Sequence, residues 1–346
     1  MFSESRTHAY DIPLENADLV SRYRPEFLDR GGDHLVYRIP SHPRVVVKVS
    51  WRKIKDALYD CYCQGKTSDD AMREHAHLRF SDDIAQKNRD VWNLKRYFGA
   101  EHVLSERRYL LRVPVSTELL EELFRNDYQG RVLPEAAKSV KEVWTHVAVQ
   151  TFCKKARDPG RLTFSYGASV EDRHPPRTLY TLITRQLLTR SAAPFDTAEF
   201  LRLQDGSVGR YLSALLERAI EDSSLADALR DFLLRAIDYA NAEGRTLALG
   251  GRDNVIFFRR QGSWTYVLMD AMPVPSEPAL RCYAAEVTRL ARSGAEPTKG
   301  AVDNIIRVLN FVRAVNGSAH ALAMETRISL PEAPEWVIEG ALNERT

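Results

Sequence analysis

Cysteine is scarce in this chain: four residues in 346, at Cys61, Cys63, Cys153 and Cys282. Only Cys61 and Cys63 lie close together, and a lone C-x-C lacks the second ligand pair and the spacing of a zinc site. Thiols so few and scattered argue against a disulfide framework and fit reduced side chains in a cytoplasmic compartment. No stretch approaches the ~20 consecutive apolar residues of a membrane span. Residues 1–20 carry Glu4, Asp11, Glu15 and Asp18 and no apolar centre, so no secretory signal is expected there. Net charge is nearly absent as well, 49 basic against 47 acidic residues giving +2. With Lys and Arg spread out and no interleaved aromatics, neither nucleic acid nor a membrane is an expected partner. Internal repeats and low-complexity tracts are also missing.

What remains is ordinary globular composition, 44% hydrophobic and 28% charged. At this length it suits one large domain or two lobes of about 100–200 residues. Residues 1–25 are polar and read as an arm. Phe27-Leu28 and Leu35–Ile39 flank a glycine turn and predict a hairpin. Arg44–Val49 is a β-branched run with one cation inside it. Residues 51–98 read as helical, with Ser68 and Ser81 as caps and Gly99 as a stop. Further strands are expected over 102–112, 144–152 and 178–188, with helices over 117–124 and 135–142. Residues 198–243 carry apolar side chains at i, i+3, i+4 spacing, the longest helical pattern. Two short strands follow, 255–258 and 265–269, and then helices over 280–292 and 301–315. Strands first and helices later describe an α+β chain with a small sheet-rich lobe ahead of a helical one.

Several residues stand out chemically. Lys48 lies amid Val45, Val46, Val47 and Val49. A lysine there is costly to bury without an anion, unless it points outward from an edge strand. Gly31-Gly32 could lay backbone N–H groups over phosphates, or simply close a hairpin. Asn254 and Asp270 bracket the last two strands. One neutral and one charged oxygen suit an octahedral Mg²⁺ that keeps water and phosphate oxygens as its other ligands. The alternative is a hairpin with polar ends. Asp253 reads as a base, as a group behind the metal ligand, or as a turn residue.

In this order, the residues resemble the protein-kinase-like superfamily. The closest pattern is the PhoP-regulatory-network (YrbL-like) family of bacterial kinase-like proteins. The similar pieces are Gly31–Pro40, Val45–Val49, the helix around Asp90, the hinge strand 178–183, Thr197–Phe200, Gly244–Asn254 and Val267–Asp270. A looser likeness is to selenoprotein O, where the aspartate directly before the metal-binding Asn is thought to act as base and AMP is transferred. The resemblance implies a bilobal fold with a small antiparallel-sheet N-lobe and a helical C-lobe, binding ATP and Mg²⁺ between them. Lys48 would hold the α/β-phosphates and Asp90, or Glu74, would orient it. Gly31 and Gly32 would cover the phosphates, and the hinge near Gln186 would take the adenine. Asn254 and Asp270 would bind the metal. The chain departs from the family pattern in three places. Leu249 stands five residues before Asn254, where the catalytic Asp belongs. Ala271-Met272 follows Asp270 in place of Phe-Gly, and no Ala-Pro-Glu segment comes after. The resemblance therefore implies either a phosphotransferase or nucleotidyltransferase using Asp253, or a pseudokinase serving as a regulatory or binding module. The acceptor, protein or small molecule, is open. The implied division is an arm over 1–25, an N-lobe over 26–187 with an insertion at about 113–177, and a C-lobe over 188–346 carrying the hairpin region 245–272.

Overall fold

The computed structural model describes residues 26–30, 34–66, 68–115, 117–125, 133–154, 158–165, 210–249, 254–270, 273, 311–312 and 314–328. Gly31, Gly32, Gln186 and Asp253 lie outside the described residues, as do the expected strand at 178–188 and the helix at 280–292. The described residues form mixed helix and antiparallel sheet, and the chain divides into two compact units. One comprises Met1–Asn93 with Leu104–Cys153, the other Leu94–Val103 with Lys154–Thr346.

The first unit is built on a five-stranded antiparallel sheet. Its strands are β1 (Glu26–Arg30), β2 (His34–Arg38), β3 (Val45–Ser50), β4 (Glu106–Pro114) and β5 (Glu142–Thr151), ordered β1-β2-β3-β5-β4. The valines of β3 form its middle, as the β-branched run predicts. The helical stretch after it is two helices, α1 (Trp51–Cys63) and α2 (Asp69–Phe98). Gly65 separates them at a positive φ of 68° that favours glycine. Ser50 caps α1 by accepting from the Lys53 N–H, and Ser68 accepts from the Ala71 N–H. Ser81 is not a cap but a mid-helix residue whose hydroxyl donates back to the His77 carbonyl at 2.7 Å. Gly99 follows α2 at φ 87°.

Next in the chain comes α3 (Thr117–Arg125), where a helix is expected. The expected helix at 135–142 is only a 3₁₀ turn over Glu135–Ser139, because Val140 turns extended and Glu142 pairs with Pro114. One aliphatic core unites Val45, Val47 and Val49 with Leu111, Val113, Val147 and Val149 and with Ile54, Ala57 and Leu58 of α1.

The second unit contains a three-stranded sheet in the order β6 (Leu162–Thr163), β7 (Val255–Arg260), β8 (Ser263–Leu268), together with α4 (Arg210–Glu221) and α5 (Ser223–Glu243). Asp222 caps α5 by accepting from the Leu225 N–H, and Gly244 ends it at φ 60°. β7 and β8 pair down to Arg260 opposite Ser263, two residues beyond the apolar part of the sequence. The turn is therefore just Gln261-Gly262, with φ of 52° and 88°, the signature of a tight primed hairpin turn. An aromatic cluster lies within the mainly aliphatic core: Phe232 lies against Phe98, Phe164, Phe257 and Tyr266, with centroids 5.0–6.1 Å away.

Candidate functional site

The β7–β8 hairpin brings Asn254 and Asp270 together, sixteen positions apart in sequence. Val255 pairs with Leu268 as the last rung, so Asn254 and Met269-Asp270 leave the sheet side by side. The Asn254 carbonyl accepts from the Met269 N–H at 2.8 Å and, more weakly, from the Asp270 N–H at 3.5 Å. Asn254 is further fixed by its side chain, whose Nδ2 donates to the Ala248 carbonyl. With the amide nitrogen used toward the chain, Oδ1 is the pole left for a cation. An Asn and an Asp whose backbones leave the sheet together offer hard-oxygen donors of the kind that fits Mg²⁺, provided phosphates and water complete the shell. Among the described residues no group of three or more His, Cys, Asp or Glu gathers to hold a metal alone.

Residues 247–249 are seated in the second unit. Leu247 and Leu249 are fully buried in its core, and Leu247 bridges to Pro273. Leu249 thus supplies no carboxylate, and its side chain is spent on packing.

Lys48 occupies the middle of the first unit's sheet. β3 is an interior strand, so an edge-strand placement does not hold. Lys48 is half-buried and lies opposite Val36 on β2 and Ala148 on β5. Ala148 is in turn opposite Arg108 on β4. Cross-strand partners share a face, so Lys48, Ala148 and Arg108 form one row, with His146 and Gln150 flanking it two residues either way.

That face carries a buried charged cluster the sequence reading missed. Glu106 receives both Nε and a terminal nitrogen of Arg108 at 2.7 Å, and Gln150 Nε2 at 3.1 Å. Arg108 also lies 3.1 Å from His146 Nε2. Asp83 of α2 approaches the other ring nitrogen, Nδ1, at 3.4 Å, without hydrogen-bond alignment, while Lys53 and Lys87 lie 3.7 and 3.9 Å from its carboxylate. Burial pushes the Asp83 carboxyl up, but His146, Lys87 and Lys53 outweigh it and hold the group well below the usual carboxylate range. Burial holds His146 below its ordinary value; Asp83 opposes this, and Arg108 and Lys87 add to it. Burial also lowers Lys87, helped by Arg108. A signal existed: Glu106 and Arg108 stand at period two on one face of β4, as do His146 and Gln150 around Ala148 in the more apolar β5.

The two helix carboxylates differ sharply. Asp90 is 4% exposed and accepts from Gln86 Nε2 at 2.8 Å. It shares its helix face with Asp83 and Lys87, at i+7 and i+3. Glu74 is exposed on the opposite side of α2. Asn88, two residues before Asp90, accepts from the Arg108 N–H at 2.8 Å and donates to its carbonyl at 3.2 Å. Its amide thereby covers the free edge of β4 as a short added strand would.

The candidate groups are a half-buried lysine on a charged sheet face in one unit and an Asn–Asp pair at the end of a hairpin in the other. No family model matches the chain, and no curated protein or solved structure matches it.

Proposed function

We propose that the protein is kinase-like and binds ATP with Mg²⁺, Asn254 and Asp270 holding the metal and Lys48 the α/β-phosphates. The observation that carries this reading is the hairpin that sets Asn254 beside Asp270 and turns the Asn254 amide nitrogen toward Ala248. Support also comes from Lys48, whose interior strand and charged sheet face give a cation at mid-sheet a polar setting. In this reading Asp90, the buried carboxylate of α2, is the orienting group, and Glu74 is a solvated helix charge.

Two functional outcomes follow from Leu249. In one, Asp253 is the base of a phosphotransferase or nucleotidyltransferase. In the other the protein is a pseudokinase, a regulatory or binding module that takes nucleotide only as a ligand. The burial of Leu249 in the core favours the second, since no proton acceptor stands at that position. Incubation with γ- and α-labelled ATP and Mg²⁺ separates them. Transfer of γ-label assigns phosphorylation and transfer of α-label assigns AMP transfer, each expected to vanish in Asp253→Asn. Tight binding without transfer assigns the pseudokinase. Failure to bind ATP with Mg²⁺ at all would overturn the reading.

A further inference from the structure

Five large hydrophobic side chains are exposed among the described residues, and two belong to α2: Leu78 at 77% and Trp92 at 64%. They are fourteen residues apart, two heptads, and so lie on nearly the same side of the helix. At 100° per residue, Glu74, Leu78, Ala85, Trp92 and Arg96 all fall within about 20° of one line through Ala85. All five are exposed. The line is about 33 Å long, and it reads acid, apolar, small, apolar, base.

This order is self-complementary when reversed. A two-fold axis through Ala85 pairs each residue with the one equally far on the other side. Leu78 then meets Trp92 of the second helix, and Glu74 meets Arg96. Ala85 meets its own copy at the closest approach, where a small side chain lets the backbones come near. Asp82 and Arg89, both exposed on the same flank, also come opposite each other within one residue. Every charge on the line gains an opposite partner, and each apolar group gains an apolar one. In a parallel pairing Glu74 would instead face Glu74 and Arg96 face Arg96, which like charges disfavour.

We propose that a second copy of this chain docks here, α2 against α2, antiparallel about Ala85. Residue i of one copy contacts residue 170 − i of the other, the isologous rule of a two-fold dimer. One helix pair is a small interface, so the dimer belongs to the weak, micromolar class.

Sedimentation equilibrium of the full chain from about 1 to 100 µM spans that class. It should show a monomer–dimer equilibrium. Leu78→Asp and Trp92→Asp, at exposed positions where folding can be checked by circular dichroism, should each raise the dissociation constant roughly tenfold or more. Glu74→Arg should weaken the dimer, and adding Arg96→Glu should restore it. Ala85→Cys should be joined to its own copy by a short bismaleimide beyond the background of the exposed Cys63. A chain monomeric throughout, which would leave the line to a different protein, overturns the proposal. So does a dimer indifferent to Leu78→Asp, or one in which the Glu74→Arg and Arg96→Glu changes do not compensate.

Discussion

The two units bury opposite kinds of chemistry. In the first, Glu106, Arg108, His146 and Gln150 are at most 7% exposed and sit on one face of a sheet whose buried hydrophobic core is aliphatic save for Phe80. In the second, rings meet rings around Phe232, and the buried polar side chains, Thr163, Ser165, Thr246 and Ser318 among them, are uncharged. There Tyr266 donates to Asp231 at 2.9 Å, while the Trp264 indole donates to Asp222 at 2.8 Å. A ring cluster gains from area and fit alone, whereas a buried charge cluster is stable only while each member keeps its partner. The first unit should therefore respond to charge and pH, and the second to volume.

The largest effect should come from the second unit. Phe232→Ala removes a fully buried ring with four aromatic neighbours and should cost about 3–5 kcal/mol in denaturant unfolding. A cost below about 1 kcal/mol would mean that the rings are not closely packed.

Breaking the charge cluster comes next. Arg108→Ala leaves Glu106 buried with only Gln150 and should cost about 3 kcal/mol. Replacing both, Glu106→Met with Arg108→Met, should recover most of that loss. If the double variant is as unstable as the single one, the stranded charge is not the cause.

The smallest effect separates the units by pH. His146 is held neutral in the fold, while an unfolded histidine takes a proton near pH 6.5. Its contribution is thus complete above the unfolded value and lost as pH falls from there toward the lower folded value. Asp83, held low, contributes above the unfolded carboxylate value near 3.9 and loses it only as pH falls further. A proton on His146 Nε2 would also oppose the Arg108 guanidinium 3.1 Å away. Between pH 7 and 5, the protection of amides against exchange, corrected for the intrinsic fall in exchange rate, should drop in β4 and β5 and stay level in α5. His146→Gln should remove the difference, and an equal drop in both units would contradict the contrast.

Much of this fold is legible in the sequence, for local reasons. The valine run gives β3, and the apolar runs 255–258 and 265–268 on either side of a turn give the β7–β8 hairpin, because strand formers and turn residues act over a few positions. Asn254 and Asp270 were legible as a pair because one hairpin fixes their separation. Other features are set at long range. The Glu135–Glu142 stretch has helix-forming residues, but pairing of Glu142 with Pro114 ends the helical turn early. Polar Arg259, Arg260 and Ser263 extend the hairpin through backbone pairing, which no side-chain pattern announces. The charge cluster joins α2, β4 and β5 across up to 63 positions, from Asp83 to His146. Sequence marks its members as odd within their strands but does not say which of them meet.

Asn254 and Asp270 are proposed to hold the metal of a bound nucleotide. The most direct measurement is thermal and denaturant unfolding of the full chain with ATP and Mg²⁺, with ATP and EDTA, and in Asp270→Ala. At a ligand concentration 100 times the dissociation constant, ATP with Mg²⁺ should stabilise the wild-type protein by about 2.7 kcal/mol. EDTA or Asp270→Ala should remove most of that gain. Equal stabilisation of Asp270→Ala, or none in the wild type, would contradict the account.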